Sequence, residues 1–131
     1  MVDVFSTLHV WNMILVLITG TVAGVWGLIL FFSKRAMNRP WRISLIVAAV
    51  VGLLQAFLGI VLVLLGQKPA GGSLYYLHYV YGGIVALAIP VAITYATGGK
   101  NPRRDMLIFS IAALVIVAAG ARALMTALGL P

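Results

Sequence analysis

Two imidazoles stand out in an otherwise apolar chain. His9 and His78 are its only histidines, and both fall within long aliphatic and aromatic stretches, as does one cation, Arg122. Gln55 and Asn12 are their uncharged polar company. An ionisable side chain in so apolar a setting is costly, so each marks a candidate functional position. What is missing narrows the chemistry. There is no cysteine and no glutamate, and the two acids, Asp3 and Asp105, lie outside the apolar centres. Thiolate chemistry, a paired-carboxylate site, a carboxylate proton relay and Ser-His-Asp hydrolysis all lack the residues they need. Zinc or copper would want a third or fourth donor, and none of the expected types is near. Imidazole is a favoured iron ligand, and two axial imidazoles hold a low-spin haem suited to electron transfer.

The elements that must carry these residues follow from composition. Of 131 residues, 63% are hydrophobic and 8% charged, against roughly a quarter charged in soluble domains. So short a chain cannot hide that much apolar side chain from water, and disorder requires the opposite composition. A helix crossing the hydrocarbon core needs about 20 apolar residues. Four stretches qualify, Val4–Ser33, Ile43–Gly66, Leu74–Thr97 and Met106–Gly129, separated by KRAMNRPWR, QKPAGGS and GGKNPRRD. The predicted fold class is all-α, an integral membrane up-down four-helix bundle, with residues 1–131 forming one domain. The chain opens with Asp3 and runs directly into a full-length span, unlike a cleavable signal peptide.

The cations give direction. Lys34, Arg35, Arg39 and Arg42 lie in the first break and Lys100, Arg103 and Arg104 in the third, together seven of the nine basic residues. Basic loops stay inside, so these two breaks are expected in the cytoplasm, with the second break and both termini outside. The formal charge of +7 therefore needs no nucleic-acid partner. Trp11, Trp41, Tyr75, Tyr76 and Tyr79 are expected to form interfacial aromatic belts.

Depth then pairs the histidines. His9 stands 25 residues before Lys34, and His78 stands 22 before Lys100, on spans that run the same way. At 1.5 Å per residue their depths differ by about 5 Å. The first and third helices of an up-down bundle are diagonal, so a flat ligand between them would occupy the centre. His9, Met13, Val16, Gly20, Gly24, Gly27 and Phe31 recur at helical steps on one face. Gly20-xxx-Gly24 is a small-residue seam, and Gly82 lies one turn from His78. Gly52, Gly59 and Gly66, at steps of seven, thin the inward face of the second span. Gln55 is expected to bond between helices or to line the ligand site. Arg122, in the outer half of the fourth span, either meets an anionic group such as a porphyrin propionate or snorkels to the headgroups.

Leu53–Gln55, Leu58–Gly59 and Val63–Gly66, followed by Leu77–His78, read LLQ..LG...VLLG and then LH. This pattern resembles a helix pair of the haem A synthase family, in which a QxxLG span precedes a short outer loop and a helix opening with a haem-ligating histidine. His9, heading the preceding span, matches that family's first ligand position. The resemblance implies a four-helix haem-binding half-module. Such synthases hold two halves where this chain has one, and Ser6 and Val10 stand where the family has acidic and basic residues. A complete oxidising enzyme is therefore not implied.

The expected function is a multi-pass protein of a prokaryotic plasma membrane, binding one haem b through His9 and His78. Arg122, Gln55, Gly20 and Gly82 are expected around that haem. The task would be electron transfer or haem handling linked to a respiratory or photosynthetic complex, with membrane lipid and such a complex or a homodimer as partners. Two other classes fit the composition: a cofactor-free accessory subunit and a small dimeric transporter.

Overall fold

The computed structural model of the chain describes residues 1–69 and 75–130. Most of the expected second loop and Leu74, the expected start of the third span, lie outside the described residues. Among the described residues there are four helices and no strand: α1 Val2–Phe32, α2 Arg39–Leu64, α3 Tyr76–Tyr95 and α4 Pro102–Ala127. All four are long and apolar enough to cross a membrane. α2 and α4 each start four residues before the apolar stretch does. Their starts are set by capping: Asn38 Oδ1 accepts from Trp41 N–H (2.8 Å) and Asn101 Oδ1 from Arg104 N–H (3.1 Å). A proline follows in the first turn of each helix, where its missing N–H costs nothing.

Each helix packs on its sequence neighbours, and α1 closes the ring against α4, leaving α1 and α3 diagonal. Small residues set how close the helices come. A Cβ on Gly20 would sit 2.9 Å from Val117 Cγ2, and one on Gly24 would sit 2.6 Å from Leu114 Cδ2, so α1 and α4 meet along the predicted seam. On α2, a Cβ at Gly52 would lie 2.9 Å from the Val85 carbonyl oxygen of α3. Gly20 thus serves helix packing and not the expected ligand site.

Two other expectations change. Trp41 is no belt residue: it is fully buried, and its indole N–H donates to Ala23 O at 2.9 Å. Gly27 makes room for it, since a Cβ there would meet Trp41 Nε1 at 2.8 Å. Trp11, Tyr76 and Tyr79 remain exposed. Gly66 does not thin the face of α2 but ends the helix with φ 85°. There Gln67 N–H bonds to Leu62 O and Gly66 N–H to Val63 O, the paired bonds of a Schellman cap.

The same cap ends α4 at Gly129 (φ 73°) and α1 at Lys34 (φ 57°). Lysine in that conformation costs about 1–2 kcal/mol that glycine avoids. At the Lys34 end of the bundle, the Asp105 carboxylate accepts from Thr97 N–H (2.7 Å), the Thr97 hydroxyl (2.9 Å) and Gly99 N–H (3.2 Å). Those bonds tie the α3–α4 connection to the first turn of α4.

Candidate functional site

His9 lies near the start of α1 and His78 in the first turn of α3. Across the diagonal their rings come to 6.1 Å between centroids, edge to face at 64°. Counting residues back from the basic loops had placed them within a turn of one another in depth, and the rings are neighbours.

α4 orients His78. Nδ1 lies 2.9 Å from Ala123 O and 3.3 Å from Thr126 Oγ1. A carbonyl can only accept, so Nδ1 carries the proton and donates, leaving the lone pair on Nε2. Thr126 also donates its hydroxyl to Ala123 O at 2.8 Å, completing the group. This is the usual way a protein fixes the ring and tautomer of a metal-binding histidine.

An amide pair holds the other side. Asn12 Nδ2 donates to Gln55 Oε1 (2.9 Å) and to Val51 O (3.0 Å), joining α1 to α2. With its oxygen so engaged, Gln55 turns its NH2 toward His9 Nε2, at 3.4 Å. That contact is longer than an ordinary N–H hydrogen bond, and so weak. His9 Nδ1 is buried with no hydrogen-bond partner among the described residues. Gln55 therefore fulfils the expected interhelical role and also touches His9. Asn12→Leu leaves the buried Gln55 oxygen without its donor, and thermal unfolding in detergent is expected to show a loss of about 1–3 kcal/mol.

The two rings border a cavity of about 510 Å³, within the size range of small-molecule and cofactor sites. Gln55, Gly59, Gly82 and Gly83 are among its walls. A Cβ on Gly59 would reach 3.3 Å from His9 Cε1, whereas Cβ atoms on Gly82 or Gly83 would meet nothing within 4 Å. Glycine at 59 thus lets α2 approach the imidazole, and glycines at 82 and 83 open the α3 side. Among the described residues no cluster of three His, Cys, Asp or Glu forms, so the site offers two nitrogen donors.

Arg122 lies outside the cavity lining. Its guanidinium stands 5.7 Å from the Tyr81 ring centroid and 3.7 Å from Met125 Sδ. Sequence reasoning missed Ala123, Thr126 and Gly83. A backbone acceptor has no residue signature, so Ala123 could not be read. Thr126 could have been: with Ser110 and Arg122 it is one of few polar residues along the apolar part of α4.

No protein-family model, curated protein or solved structure matches the chain.

Proposed function

We propose that the chain crosses a prokaryotic plasma membrane four times, as an up-down bundle with both termini outside, and holds one b-type haem between His9 and His78. The observation that carries this reading is the histidine pair, 6.1 Å apart at the edge of a cofactor-sized cavity. Two imidazole nitrogens would hold one iron between them once the rings turn from this edge-to-face contact to point at it. The donor set would suit a porphyrin iron, which needs only two ligands from the chain. His78 would contribute Nε2, which its bond to Ala123 leaves unprotonated. His9 would contribute Nε2 in place of its long contact with Gln55, and Asn12 would keep the freed amide from swinging away. Gly82 and Gly83 give the open side that a flat ring needs. When bound, the iron supplies a one-electron couple tuned by its ligands and by the low dielectric around it.

The role that follows is electron transfer, or haem handling, beside a larger membrane redox complex or in a homodimer. Among the described residues no Asp or Glu lines the cavity, so a carboxylate relay there lacks its residues.

Topology and cofactor are tested separately. Asn38 and Asn101 cap helices, so cysteines belong instead at Ala36, Lys100 and Lys68. The first two are expected to react only from the cytoplasm and the third only from outside. Labelling of all three from one side would defeat the four-span arrangement. For the cofactor, haem titrated into protein prepared without it is expected to saturate at about one equivalent per chain, and absence of binding refutes the haem reading.

A further inference from the structure

At the basic end of the bundle, far from the histidines, a second cavity of about 320 Å³ opens between the first connection and the start of α4. Lys34, Arg35 and Arg103 bring three cations to it, and Met37 and Met106 make its apolar floor. Arg103 is held there with its guanidinium 4.1 Å from the centroid of the Phe31 ring. We propose that this cavity binds the phosphate of an anionic phospholipid. The assignment rests on the four-span reading, which puts this end at the inner headgroup level, and not on the haem.

Three observations carry it. Among the described residues no ion pair engages these cations: Asp3 is at the other end of α1, and Asp105 is occupied by Thr97 and Gly99. A cationic rim over an apolar floor matches an amphiphile better than a free ion, and basic pockets at this level are where acidic lipids dock. Arg103 presents the planar fork that suits phosphate oxygens.

The third observation is Lys34 itself. Three helices end in the same cap, and glycine takes the left-handed position at Gly66 and Gly129, as the backbone prefers. Only at the cavity does lysine take it. Strain of this kind marks positions where the side chain is needed.

The test is lipid binding by the delipidated full chain in detergent, followed by native mass spectrometry. The probes are phosphatidylglycerol, phosphatidylcholine and inorganic phosphate. Phosphatidylglycerol is expected to bind about 10- to 100-fold more tightly than phosphatidylcholine, and that preference should vanish in Lys34→Gln/Arg35→Gln/Arg103→Gln. A charge-matched control, Arg39→Gln/Lys100→Gln/Arg104→Gln, should lose clearly less than the cavity variant. Lys34→Gly, which keeps the cap and relieves the strain, should melt higher yet bind phosphatidylglycerol several-fold more weakly. This arm remains informative if the triple variant does not fold.

Equal losses in the two triple variants would reduce the effect to diffuse charge and overturn the site. Equal binding of phosphatidylcholine would overturn headgroup selection. Inorganic phosphate binding as tightly as the lipid would reassign the cavity to a free anion. Because binding is read in micelles, it stands or fails independently of the cysteine labelling that tests topology.

Discussion

Alanine at His78 is expected to lower haem affinity by more than about 100-fold, because losing even a hydrogen-bond partner of a metal ligand costs about 10- to 100-fold. The variant is clean in structural terms. Ala123 O loses the imidazole donor but keeps the Thr126 hydroxyl, and the side chain removed borders a cavity rather than a packed core. Haem content per chain measures the effect, and added imidazole should restore part of the low-spin spectrum by refilling the vacated position. His9→Ala should match it in haem loss with little cost to the bundle, since the contact it gives up with Gln55 is long and weak. If alanine at both positions leaves haem content and spectrum unchanged, the paired-ligand proposal is wrong. If only one histidine matters, the iron has a single protein ligand and reaction with gases becomes the better reading.

A leucine at Gly82 is expected to be the next most damaging change to the cofactor and among the mildest to the fold. Its Cβ enters open space, and glycine inside a helix costs about 1 kcal/mol relative to alanine. The helical bundle should therefore hold or gain stability. The leucine branch fills volume that the proposed ring requires, and overpacking of about 1–3 kcal/mol corresponds to about 5- to 150-fold in affinity. Gly52→Ala provides the opposite control. Its Cβ would stand 2.9 Å from a backbone oxygen of α3, so thermal stability should fall by about 1–3 kcal/mol. Haem loss at Gly52 with none at Gly82 would show that the cavity is not where the ring sits.

Much of the architecture was legible because hydropathy and charge speak directly to it. Four apolar stretches became four helices, and the largest shifts, four residues each, lie where caps decide: Asn38 and Asn101 start α2 and α4 before the apolar residues begin. The histidine pairing came from counting residues back from two basic loops, which works because α1 and α3 are each one continuous helix, Pro90 included. The misreadings share a cause, the use of one dimension for a question of three. Trp41 near a helix end reads as interfacial until Gly27 on another helix is seen to leave space beneath it. Gly66 continues a spacing of seven from Gly52 and Gly59, yet its backbone is what the cap requires. Gly20 shares a stripe with His9, but about three turns deeper that stripe faces α4 and not the cavity. The anchor of His78 could not be read at all, because a main-chain carbonyl at Ala123 is invisible to residue type.

The central claim is that one iron sits between His9 and His78, and the visible spectrum of the full chain tests it most directly. The protein should be expressed with haem supplied, purified in mild detergent, and recorded oxidised, reduced, and reduced under carbon monoxide. The account predicts about one haem per chain, a sharp reduced α band, and no change with carbon monoxide, because two imidazoles leave no coordination site open. A colourless protein, or a haem that takes up carbon monoxide at once, would contradict it.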